Sequence, residues 1–222
     1  MSDREQELIE KQISYYRRRA PEYDATRRPP GDSKTQPEAK LFAALDAFDP
    51  RGLVLELACG TGAWTRELVR FTDRLTALDS SPEMLELNRQ RVADPRVRYI
   101  EADLFSWQPD RAYEVVVFCF WLSHVPLARF DDFWGLVESC LTETGKVFFA
   151  DEGAEVPRKE RFVDPERTVV ERTLGDGSTH MVVKVFWDSR ELEQRVTDLG
   201  WRCSVREAEP FYWGQARKET SS

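Results

Sequence analysis

Between Leu53 and Ala150 short apolar runs alternate with helix-length segments, and this alternation constrains the fold more than any other feature of the chain. Leu53–Ala58, Arg74–Leu78, Val97–Glu101, Tyr113–Phe120 and Lys146–Ala150 read as strands. Between them, Ala63–Phe71, Pro82–Val92 and Pro126–Leu141 read as helices, the second opened by Ser81 as its N-cap. Strands that are apolar on both faces and separated by helices imply a parallel sheet covered on each side. The expected fold is therefore α/β and doubly wound.

The flanking segments add to this frame. Leu8, Ile9, Ile13 and Tyr16 recur at helical spacing, so Arg4–Arg19 reads as an amphipathic helix ending before Pro21. A proline-rich loop over Ala25–Pro37 leads to a second helix, Glu38–Phe48. After Asp151, Thr168–Thr173 and His180–Trp187 flank Gly175-Asp176-Gly177 and read as an inserted hairpin. A last helix, Asp188–Leu199, is closed by Gly200, and Trp201–Ala208 with Phe211–Gln215 read as two closing strands. The organisation expected is an N-terminal helix and lid segment over 1–37, a main domain over 38–217 with the insertion at about 152–187, and a disordered tail over 218–222.

Composition excludes several classes of function. With 32 basic and 40 acidic residues, a net charge of −8 disfavours a nucleic-acid partner. The longest apolar stretch, Val115–Leu122, is far short of the roughly 20 residues that span a bilayer, so no membrane association is expected. A charged N-terminus without an apolar core points to the cytoplasm. Four scattered cysteines lack CxxC spacing, which argues against zinc and structural disulfides. The two histidines, His124 and His180, are the only places for imidazole chemistry.

The segment LVLELACGTGAWT, Leu53–Thr65, puts Gly60 and Gly62 at the first strand-to-helix turn, where open α/β sheets bind ligands. The third glycine of a dinucleotide fingerprint is missing, and Glu56 stands four residues before the turn. An acid there repels a pyrophosphate and suits a ligand with ammonium and sulfonium charges. This segment resembles the first motif of the class I S-adenosylmethionine-dependent methyltransferases, with Ala58 in place of a usual glycine. Asp79 in LTALDSSPEML, Asp103 in YIEADLF and the fourth-strand segment VVVFCFWLSHVP follow in the order of that family. The resemblance implies a Rossmann-like seven-stranded sheet with an antiparallel last strand, and S-adenosyl-L-methionine as cofactor.

It also implies roles. Asp79 would accept the ribose hydroxyls, beside Ser80, and Asp103 the adenine amino group, with Leu104 as neighbouring amide and apolar wall. Met84 would cover the adenine, and Ala58 and Phe120 would complete the cofactor set. YYRRRAPEYD, Tyr15–Asp24, is similar to the lid element of many small-molecule methyltransferases, in which Arg19 would meet the methionine carboxylate and Tyr15 or Tyr16 would face the methyl group or the acceptor.

His124, after the fourth strand, is the candidate general base, with Asp151 and Glu152 as partners that orient it, hold the acceptor or bind a divalent metal ion. Trp121, Trp187 and Tyr212 are candidate walls of an acceptor pocket roofed by the hairpin. The activity expected is methyl transfer to a small molecule, at a hydroxyl oxygen such as that of a sugar, by a monomer or homodimer. N-methylation of a small amine or amino sugar, and a non-catalytic cofactor-binding regulator, stay open as alternatives.

Overall fold

The computed structural model describes residues 3–26, 36–154 and 160–219. Its helices are α1 (Asp3–Arg19), α2 (Tyr23–Thr26), α3 (Gln36–Phe48), α4 (Ala63–Leu68), α5 (Pro82–Val92), α6 (Phe130–Ser139) and α7 (Ser189–Asp198). Its strands are β1 (Leu53–Leu57), β2 (Arg74–Asp79), β3 (Val97–Glu101), β4 (Tyr113–Cys119), β5 (Leu141–Glu152), β6 (Val169–Thr173), β7 (Thr179–Val183), β8 (Trp201–Ala208) and β9 (Phe211–Lys218). Seven of them form one sheet in the order β3-β2-β1-β4-β5-β9-β8, with β9 antiparallel to both neighbours, as expected. The order reverses between β1 and β4, which opens a crevice at the carboxyl ends of those strands.

The apolar runs account for this arrangement. Val115 and Val117 of β4 join the core on one face with Phe148, Trp64 and the α3 residues Leu41 and Leu45. Val116 and Phe118 point to the other face, packed with Phe149, Phe133, Trp134 and Leu192. A strand buried on both sides can sit only at the centre of a covered sheet. Ser81 caps α5, its hydroxyl accepting from the Met84 amide at 3.1 Å, and Pro82 fixes the first turn. Among the described residues no helix is long and apolar enough to cross a membrane.

Several boundaries differ from expectation for visible reasons. The segment after β4 breaks into a short 3-10 turn, Leu127–Arg129, and α6, because Pro126 is held extended at ψ 143°. Leu141 belongs to β5, pairing with Tyr113 across a register shift. The hairpin β6–β7 stops at Val183, since Val185 donates its amide to the Ser123 carbonyl at 2.8 Å and Trp187 bridges Gly153 instead. The last strand runs past Gln215 to Lys218, a residue expected in the tail, because Arg217 and Lys218 pair with Arg202 and Trp201. Residues 220–222, like most of the loop expected over Ala25–Pro37, lie outside the described residues.

α1 docks on the hairpin. Tyr15, Val170, Leu174 and Val182 form a small core of their own. Arg18 pairs with Asp176 at 2.8 Å, and the Gly175 amide donates to the Glu22 carboxylate.

Candidate active site

The crevice at the ends of β1, β2 and β4 is an open cavity of about 1020 Å³, counting the solvent at its mouth. One half is built on the glycine turn. Gly62 has φ +88°, and a Cβ there would lie 2.6 Å from Asn88, so only glycine fits between the turn and α5. Gly60, at φ +51°, has open space where its side chain would be and presents bare backbone to the cavity. Ala58 stands at φ +52°, the left-handed region in which an L side chain costs about 1–2 kcal/mol. Phe120, at the end of neighbouring β4, has φ +57°. Two strained non-glycine residues side by side at a cavity floor are the kind of conformation that functional sites retain.

Of the acids at this end, Glu56 is buried and Asp79 and Asp103 are partly exposed. Glu56 is 3% exposed and accepts the Thr65 hydroxyl at 2.6 Å, while Thr65 accepts from the Asn88 amide at 2.8 Å. Burial pushes the Glu56 carboxyl up to about 8, the Thr65 hydrogen bond opposing and nearby Asp79 adding to the rise. Burial also raises Asp79, against the pull of backbone amides. Its Oδ2 accepts from the Gly60 amide and its Oδ1 from the Ser81 amide, both at 2.9 Å, so it braces the turn as well as facing the cavity. Ser80, Met84, Asp103, Leu104 and Phe120 also line the cavity. Asp103 uses Oδ1 as a turn cap for the Phe105 amide at 3.1 Å, which leaves Oδ2 for a ligand.

The other half is aromatic. Ile9, Gln12, Ile13 and Tyr16 of α1, with Trp121 and His124, close it. His124 is 7% exposed. Its Nε2 lies 2.9 Å from the Tyr16 hydroxyl and its Nδ1 2.8 Å from the Val183 carbonyl. The Trp121 indole nitrogen is buried without a hydrogen-bond partner.

Other expected site residues lie elsewhere. Tyr15 is 2% exposed in the core under the hairpin and does not reach the cavity. Arg19 covers the rings of Tyr15 and Tyr23 and is absent from the cavity wall. Asp151 is fully buried and holds the Ser123 amide and hydroxyl at 2.8 and 2.9 Å. Glu152 pairs with Lys184 at 2.6 Å, so an ammonium group already fills the place proposed for a metal ion. Among the described residues no group of three histidine, cysteine or acidic side chains is placed to hold a metal. Trp187 packs on Phe130, ring centroids 4.9 Å apart, and Tyr212 is buried beside Phe149. No described hairpin residue lines the cavity; the hairpin carries the helix that does.

Sequence reasoning missed Gln12, Asn88 and Lys184. A polar residue set into the apolar stripe of α1, between Ile9 and Tyr16, was the signal for the first. It also missed the clasp in which Arg91 donates to Asp24 and, at 2.8 Å, to Thr61, tying α2 to the glycine turn.

A family model described as a methyltransferase domain matches residues 54–145. Trans-aconitate 2-methyltransferase of Enterobacter sp. (strain 638) is 39% identical over 88 residues, 39% of this chain and 34% of that protein. The enzyme of the same name from Methylobacterium radiotolerans is 39% identical over 87 residues, 38% of this chain and 32% of that protein. The match thus spans about a third of the length of these curated relatives. Among solved structures, a DhpI-SAH complex is 45% identical with a TM-score of 0.82, over 95% of this chain and 97% of that one. The chain belongs to the class I S-adenosylmethionine-dependent methyltransferases. A DhpI-SAM-HEP complex is 43% identical with a TM-score of 0.84 over the same shares.

The cavity of this methyltransferase fits the family's cofactor. The Glu56 carboxyl is buried near the end of β1, the partly exposed Asp79 carboxyl ends neighbouring β2, and the bare Gly60 backbone, bonded to Asp79, leaves room for a nucleoside with a cationic tail. A consequence follows for Glu56. At pH 6.5 a carboxyl that titrates at about 8 is protonated in the free protein, and a cation placed beside it lowers that value and expels the proton. Calorimetry of S-adenosylhomocysteine binding at pH 6.5, in buffers of different ionisation enthalpy, is expected to show proton release that Glu56→Gln abolishes. Equal release by the two proteins would place the ligand's charge away from Glu56.

Proposed function

We propose that this methyltransferase acts on an oxygen of a small-molecule acceptor, and that the oxygen arrives carrying its proton. One observation carries the reading: the linear chain from Tyr16 through His124 to the Val183 carbonyl, with links of 2.9 and 2.8 Å. A carbonyl only accepts, so Nδ1 of His124 bears the hydrogen and, in the neutral imidazole, Nε2 is a lone pair. The Tyr16 hydroxyl therefore donates to Nε2. The hydrogens of the chain then run from Tyr16 towards Val183, which leaves the Tyr16 oxygen, on a residue that lines the cavity, with lone pairs to accept from a further donor. Such an oxygen attracts an O–H group.

S-adenosylmethionine, when bound, supplies a sulfonium methyl group open to in-line attack. The acceptor oxygen becomes acidic as it takes the methyl group; its proton passes to the Tyr16 oxygen while the Tyr16 hydrogen moves to Nε2 of His124. Burial raises the Tyr16 phenol above its ordinary range, so tyrosine relays the proton and imidazole keeps it. Asp79 and the glycine turn orient the cofactor, and the aromatic wall from Tyr16 to Trp121 excludes water. An ammonium acceptor has less support, because Asp151 and Glu152 are engaged by Ser123 and Lys184.

A second reading draws on the relatives named for trans-aconitate: the acceptor is an anion already ionised. In that case Tyr16 turns its hydrogen to the acceptor and no base is required. The test is transfer of a labelled methyl group to a panel of alcohols, phenols, carboxylic acids and amines, with products identified by mass spectrometry. An ether formed at a rate that rises with pH through the imidazole range supports the first reading. An ester formed at a pH-independent rate supports the second, and an N-methyl product overturns both.

A further inference from the structure

Gln12 lies on the face of α1 that also carries Ile9 and Tyr16, and it is 2% exposed. Both ends of its amide are used. Nε2 donates to the His124 carbonyl at 3.1 Å, and Oε1 accepts from the Val183 amide at 3.0 Å. Val183 in turn gives its carbonyl to Nδ1 of His124 at 2.8 Å. The three residues close a ring that joins α1, the turn after β4 and the end of β7. Each partner accepts only one polarity: a carbonyl needs a donor and an amide N–H needs an acceptor. A glutamine supplies both at the right separation; a glutamate lacks the donor and a methionine lacks both.

We propose that Gln12 is a positioning residue for proton transfer. By fixing the His124 main chain and the Val183 carbonyl together, it holds the imidazole in the form protonated at Nδ1, with Nε2 facing Tyr16. It does so from the helix that carries Tyr16, one turn further on, so one rigid element sets both the relay and the base. The exposed contacts of α1 with the hairpin, such as Arg18 with Asp176, dock the helix without touching the ring. This inference rests on the reading of His124 as the proton acceptor.

The test uses the full chain labelled with 15N-histidine. Only two histidines contribute signals, and His180→Gln assigns them. The wild-type spectrum is expected to show His124 as one tautomer, protonated at Nδ1. Gln12→Met should give mixed tautomers and a kcat about 10- to 100-fold lower with the acceptor methylated in the panel, cofactor Kd staying within about threefold. Gln12→Glu, which keeps only the acceptor, should behave alike and serves if the methionine variant does not fold. Arg18→Ala should change neither the tautomer nor kcat. Unchanged tautomers in the Gln12 variants, or an equal change in Arg18→Ala, would overturn the proposal. A tautomer shift with kcat intact would uphold the grip of Gln12 on His124 and refute the role of His124 as base.

Discussion

In His124→Ala, kcat is expected to fall about 10²- to 10⁴-fold while cofactor affinity is retained, the range for loss of a positioned base. Tyr16 remains, but its hydrogen then has no acceptor, and the relay ends at a phenol whose burial keeps it protonated. The wild-type rate should rise with pH as imidazole loses its proton, and the variant's rate should not. The substitution also strips the Val183 carbonyl of its donor, so about 1–3 kcal/mol of stability should be lost. Binding of S-adenosylhomocysteine shows whether the variant is folded. Full retention of kcat with an unchanged pH profile would move the assignment to an acceptor already ionised.

The second large effect concerns Asp79→Ala. Hydrogen bonds from ribose hydroxyls to a carboxylate contribute roughly 1.5–3 kcal/mol each, so losing them should weaken cofactor binding at least about tenfold. The structure adds a second loss, because the same carboxylate holds the Gly60 and Ser81 amides. Asp79→Ala should therefore lower Tm as well as affinity. Asp79→Asn keeps one carbonyl oxygen for an amide and should recover part of the Tm with less of the affinity. Calorimetry on folded protein decides; an unchanged Kd in either variant would remove Asp79 from the ribose site.

How far the sequence could be read followed from how local each feature is. Pro82–Val92 was legible to the residue, because Ser81 and Pro82 mark its start within three positions. β4 was legible as a central strand, since Val115–Phe118 is apolar on both sides. The wall built on the glycine turn was similarly readable as a cavity wall, its acids and glycines falling between residues 56 and 103 in a fixed order, while Tyr15 and Arg19 lie outside it. The acceptor half was not. Whether Asp151 faces the cavity or the Ser123 turn depends on the pleat of β5 and on Lys184, which approaches from beyond the hairpin. Trp187 and Tyr212 looked like pocket walls because strand ends favour such residues, yet both are buried in one core with side chains of α6 and α7. Gln12 gave only an oddity in an apolar stripe, and its partners lie 112 and 171 residues away.

Those separations bear on the order in which the protein comes into being. The groups that would hold the cofactor fall between residues 56 and 120, and a domain folds as a unit. The ring at Gln12 closes only after β7 has emerged and doubled back on a helix made at the start. A chain ending at Ala150 lacks the Val183 link altogether, and its first helix has no hairpin partner for Gln12.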